Sequence, residues 1–173
     1  MKLIRLLAAL ATAAALAACA GTYVPTEQPS MYRDLAIPGN TLDTATAASV
    51  ISGYRTNNGL PAVTLDPALM QMAEAQAALM AKRDKLEHNV GKPFTARLKA
   101  SGYDAKVAAE NIGAGYHTLA EAFSGWRDSP PHRANMLLGG ATRIGIAAVR
   151  APASKYKVYW ALILAEPDVE KGN

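Results

Sequence analysis

From Val158 to Ala165 the chain reads Val-Tyr-Trp-Ala-Leu-Ile-Leu-Ala, a nearly continuous apolar run. A strand with no polar face has to be covered on both sides. A second run, Arg143 to Arg150, mixes β-branched and small residues and reads as another strand. At least four helical segments precede these two. The economical arrangement is therefore a sheet held between helical layers, a three-layer α-β-α sandwich of the α+β class.

The helical segments carry their own punctuation. Asp43 and Thr44 suit an N-cap, Val50, Ile51 and Tyr54 follow at helical spacing, and Asn58-Gly59 stops the segment near Asn57. After a short Val63-Thr64-Leu65 stretch, Asp66-Pro67 gives a second start, a cap residue followed by proline at the first helical position. Leu69, Met70, Ala73, Ala77 and Met80 then share one stripe as far as about Lys85, and Met70, Met72 and Met80 read as core filler. Pro93 to Ser101 predicts a shorter helix closed by Gly102. Thr118-Leu119-Ala120-Glu121 has capping-box spacing ahead of Phe123 and Trp126. Ser129-Pro130-Pro131 ends that helix, and a brief helical turn follows through Asn135. Trp126 is expected as a core anchor, Asn135 as a buried hydrogen-bonding residue after His132, and Gly145 as a strand position where something packs closely.

The start of the chain reads as an export signal. Lys2 and Arg5 precede an uncharged Ala/Leu run from Leu6 to Ala15, which is an n-region and an h-region. A spanning helix needs roughly 20 apolar residues, so this run is too short to cross a bilayer. It ends in Leu16-Ala17-Ala18-Cys19, which resembles a lipobox and holds the only cysteine in the chain. Residues 1–18 are thus expected to be removed and Cys19 to be acylated, with each buried methylene contributing about 0.8 kcal/mol to anchoring in the membrane. The expected location is the cell envelope. With Ala20 rather than Asp after the cysteine, that means the outer membrane in a two-membrane bacterium.

From 19 to 41, polar residues with Pro25, Pro29, Pro38 and Gly39 predict an acylated, flexible tether of roughly 25 Å mean span. The folded domain is expected over 42–167 and a short tail over 168–173. Loss of Lys2 and Arg5 leaves 16 basic against 14 acidic residues, with no basic stripe, so composition gives no case for nucleic acid as a partner. A single cysteine also excludes an internal disulfide, and packing must carry the stability.

Three histidines allow each to be weighed. His117, in Gly115-Tyr116-His117-Thr118, sits in a loop entering a helix and reads as a surface residue. His88 follows the second helix, Glu110 begins Glu110-Asn111-Ile112-Gly113, and His132 lies in Ser129-Pro130-Pro131-His132-Arg133-Ala134-Asn135. Gaps of 22 residues match no compact metal motif, and a histidine near a helix C-terminus more often meets the helix dipole than a metal.

The same segments line up in order with a known family. They are Arg55 with Asn57-Asn58-Gly59-Leu60-Pro61, Leu65-Asp66-Pro67-Ala68-Leu69, Ala77 to Met80 leading to His88, and Arg97 to Gly102-Tyr103. Ala109-Glu110-Asn111-Ile112 follows, then Trp126-x-x-Ser129-x-x-His132-Arg133-x-Asn135-x-Leu137, Ile144-Gly145-Ile146-Ala147 and Tyr159-Trp160. Over about residues 46 to 165 the chain resembles the bacterial branch of the CAP superfamily, the cysteine-rich secretory, antigen-five and pathogenesis-related proteins. The resemblance implies an α-β-α sandwich with a shallow central cavity lined by two histidines and two glutamates that can hold a divalent metal.

Carried over residue by residue, the cavity positions are His88, Glu110, Ser129 and His132. Serine stands at the fourth position, where many plant and animal members have glutamate. The implied ligands of a divalent metal such as zinc are His88, His132 and Glu110, the number a catalytic zinc site needs beside water. If any residue is catalytic, it is Glu110, acting as a base on a water within reach.

Two functions are expected from this reading. The first is a non-enzymatic, membrane-anchored module binding a lipid, a peptide or another envelope component. The second is a metal-dependent envelope hydrolase or peptidase using His88, Glu110 and His132. Ser129 has no Gly-x-Ser-x-Gly elbow around it and is not expected as a nucleophile.

Overall fold

The structure is a computed structural model and describes residues 28–168. The expected signal segment, Cys19 with residues 20–27, and the tail from 169 lie outside the described residues. The central strand β4 (Lys157–Pro167) runs antiparallel to β3 (Arg143–Ala151) on one side and to β2 (Ala105–Ala114) on the other. The two-residue β1 (Thr64–Leu65) joins β3 in parallel, giving the order β1-β3-β4-β2.

Side chains alternate across a strand, and in β4 this divides the core in two. Val158, Trp160, Leu162 and Leu164 pack with Ile51 of α1 (Thr44–Asn57) and with Leu119 and Trp126 of α4 (Leu119–Asp128). Tyr159, Ala161, Ile163 and Ala165 pack with Leu69, Ala73, Ala77 and Met80 of α2 (Pro67–Arg83). All eight β4 side chains are fully buried, so both faces of the sheet are covered as the apolar run requires. A Cβ on Gly145 would lie 2.2 Å from the Leu69 backbone, which is why the start of α2 can cross β3 only at a glycine.

Local signals set the helix ends. The Asp43 carboxylate accepts from the Thr46 amide, the Asp66 carboxylate from the Ala68 and Leu69 amides, and Thr118 with Glu121 forms the reciprocal capping box. α2 stops at Arg83, slightly short of the expected Lys85, because Asp84 takes a left-handed conformation. Two short helices, α3 (Phe94–Ala100) and α5 (Pro130–Met136), complete the set.

Arg55, fully buried at the end of α1, donates to the carbonyls of Pro61, Met136, Leu138 and Ala141 at 2.8–3.0 Å. It thereby fixes the chain leaving α5 and sets where His132 stands.

The structure adds one strand and changes one expectation. The strand β2 is not announced by its sequence, because Lys106, Glu110 and Asn111 interrupt a run of small residues that has no clear period. The flexible tether is also shorter than 19–41, since the chain is already packed on the domain within that range. Leu35 is buried with its amide bonded to the His117 carbonyl at 2.8 Å, and Met31, Ala36 and Leu42 lie against the core. These apolar side chains among the prolines cover the α1 and α4 layer, and their burial offsets the entropy of ordering the segment.

Candidate functional site

β2 is a sheet edge, and its neighbours Glu110 and Asn111 face opposite sides. Glu110 stands opposite Ile163, on the α2 face, and Asn111 opposite Leu162, on the α1 and α4 face. One strand therefore delivers a carboxylate below the sheet and an amide above it.

Below the sheet, the Glu110 side chain is 2% exposed and both of its oxygens are engaged. Oε1 lies 2.8 Å from His88 Nδ1, and Oε2 accepts from Arg97 Nη2 at 2.6 Å. The buried Gln76 of α2 donates to the Glu87 and His88 carbonyls at 3.0 and 3.2 Å, which fixes the loop after α2 and aims the imidazole at Glu110. Arg97 comes from α3 and is 15% exposed, whereas the His88 side chain is 47% exposed and opens to solvent.

Above the sheet, Asn111 is fully buried, donates to the His132 carbonyl at 2.9 Å and accepts from Asn135 Nδ2 at 2.9 Å. The Asn135 amide also reaches the Glu110 carbonyl at 3.2 Å, and Trp126 Nε1 reaches the Ile112 carbonyl at 3.2 Å. Those two carbonyls point outward from the edge, where no further strand among the described residues satisfies them, so the two side chains close the edge in its place. Asn135 is half-buried rather than buried, and Trp126 is the expected core anchor.

His132, held by its own carbonyl, places Nδ1 2.9 Å from Ser129 Oγ at the junction of α4 and α5. Its pKa is pushed below the ordinary imidazole value, first by burial and then by the nearby His88. The structure thus forms two pairs, His88 with Glu110 and Ser129 with His132, close enough for one imidazole to feel the other. His117 lies apart, with its backbone amide on Glu121 and its carbonyl on Leu35.

Arg97 is the functional neighbour that the sequence reading passed over. A buried carboxylate needs a partner charge, but Lys92 and Lys99 flank Arg97 in the same segment and no spacing rule separates them.

Glu110 as a metal ligand does not survive this geometry. With one oxygen on an imidazole and the other on a guanidinium, it is not a third donor, and among the described residues no group of three His, Cys, Asp or Glu side chains is placed to hold a metal ion. What remains is Nε2 of His88 and Nε2 of His132, each imidazole oriented through its Nδ1. Two nitrogens fall short of the three protein ligands that a zinc centre uses with water, so the residues do not fit a resident zinc.

The model of the cysteine-rich secretory protein family, CAP, matches residues 48–164, well over half of the chain. The chain belongs to the CAP family. The protein YkwD of Bacillus subtilis is 30% identical over 122 residues, covering 62% of this chain and 47% of that relative, so the chain spans about half the relative's length. An extracellular protein with an SCP domain from Bacillus anthracis has the same fold, with a TM-score of 0.62 at 20% identity, covering 70% of this chain and 39% of that one. An outer surface protein from Borrelia burgdorferi aligns with a TM-score of 0.66 at 16% identity, over 73% of this chain and 93% of its own. Among the described residues of this CAP domain no helix is long and apolar enough to cross a membrane.

Proposed function

We propose that this CAP protein is a membrane-anchored, extracytoplasmic binding module for a lipid, peptide or other envelope component, tethered through Cys19. The observation that carries this reading is the state of Glu110. A general base must reach a water or a substrate proton, but this carboxylate is buried and held by His88 and Arg97. What the site offers outward is one exposed imidazole beside a half-buried one, a polar surface suited to recognition. Export to the envelope is supported by the Lys2 to Cys19 pattern and by the extracellular and outer-surface relatives.

A metal-dependent envelope hydrolase is the second reading, favoured by the way both imidazoles are oriented through Nδ1, as metal-bound histidines are. The test incubates the full chain with peptide, ester and peptidoglycan substrates in micromolar zinc. No turnover above that of a His88→Ala, His132→Ala double variant is expected. Turnover lost in that variant and on chelation would establish the hydrolase instead. Anchoring is tested separately: Cys19→Ser should move the protein from the membrane fraction to the soluble envelope fraction.

A further inference from the structure

The two edges of the sheet are finished differently. The β2 edge is closed by Asn135 and Trp126. On the other side β1 pairs only with Arg143 and Ile144, and β3 runs on to Ala151 with no further strand beside it among the described residues.

The hydrogen-bond pattern fixes which groups are left over. The Thr64 and Asp66 amides bond to the Thr142 and Ile144 carbonyls, so Ile144 points outward, and the unbroken register with β4 puts Ile146, Ala148 and Arg150 outward after it. The Ile146 N–H rests on the Met70 thioether at 3.3 Å, a weak acceptor. The Ile146 carbonyl, both backbone groups of Ala148 and the Arg150 N–H have no hydrogen-bond partner among the described residues.

This open edge lies in a groove. A cavity of about 380 Å³ runs along Ile146 to Arg150 between Thr41 and Leu42 on one wall and Met70 and Glu74 of α2 on the other. A second concavity of about 400 Å³ continues past Met70 and Glu74. Glu74 is exposed and its carboxylate has no partner among the described residues.

We propose that the Ile146 to Arg150 edge of β3 is a strand-addition site for an extended peptide segment that carries a basic residue. Alternating unpaired N–H and carbonyl groups are matched by another extended backbone, which a lipid chain or a helix does not present. The groove takes the small or apolar side chains of such a peptide, and the Glu74 carboxylate meets its lysine or arginine. The site lies at the edge away from the histidine pair, and it stands or falls independently of what that pair binds.

The test uses the full chain and the blocked peptide Ac-Thr-Val-Lys-Val-Thr-NH2, read by amide hydrogen exchange and fluorescence anisotropy. At saturating peptide the Ala148 and Arg150 amides should exchange at least about tenfold more slowly, while amides in β2 stay unchanged. Ala148→Pro removes an outward donor without breaking a bond to β4 and should weaken binding at least about tenfold. Glu74→Gln should weaken it about threefold. A peptide N-methylated on the residues facing β3 leaves the protein untouched and should not bind. Equal binding by the N-methylated peptide, or binding that leaves the Ala148 amide unprotected, would overturn the site. So would an Ala148 amide already protected without peptide, since the chain itself would then cover the edge.

Discussion

Glu110 and Asn111 are adjacent in β2, yet they hold the two halves of the site by different physics. Glu110 is a buried charge whose partners are an imidazole and a guanidinium. Asn111 is a buried neutral amide whose partners are a carbonyl and another amide. A buried charge is costly once it loses its partner, whereas a neutral amide loses only its hydrogen bonds. The half of the site that carries His88 should therefore respond to loss of charge, and the half that carries His132 should respond to loss of shape and hydrogen bonding.

The largest effect should come from Arg97→Met, which leaves the Glu110 carboxylate buried beside a neutral side chain. A loss of about 3 kcal/mol is expected in urea denaturation at neutral pH. Asn111→Ala should cost about 2 kcal/mol by releasing the His132 carbonyl and Asn135 together. Were the Asn111 loss the larger of the two, the contrast would be wrong.

His88→Ala should cost less than about 1 kcal/mol, because the imidazole is half exposed and Arg97 still holds Glu110. The finest effect is on the other histidine. His132 should titrate below the ordinary value of 6.5. A folded-state pKa that is depressed means stability is present above the unfolded value and is lost as pH falls through the folded one. His88→Gln removes the second of the two causes, so the His132 midpoint seen by NMR should rise part of the way while burial still keeps it below 6.5.

Much of this architecture was legible before the structure. The run at Val158 to Ala165 demanded a two-sided cover, and Asp66-Pro67 and Thr118 to Glu121 placed the helix starts correctly. The fold and the family followed from that series. The roles within the site were less legible. Glu110 looks alike in sequence whether it binds a metal or a guanidinium, since the difference lies in where α3 sets Arg97. Leu35 was hidden among prolines and glycine, where composition speaks for a tether and a few apolar contacts decide otherwise. The open edge of β3 could not be read at all, because it depends on β1 stopping after two residues.

The central claim is that Glu110 is spent on holding His88 and Arg97 and is not available as a ligand. A calorimetric zinc titration of wild type beside Glu110→Gln tests it most directly. The structure predicts no stoichiometric binding at micromolar zinc in either protein, with the substitution showing its effect in stability instead. Stoichiometric zinc binding by wild type that disappears in Glu110→Gln would contradict the account and make the carboxylate a metal ligand.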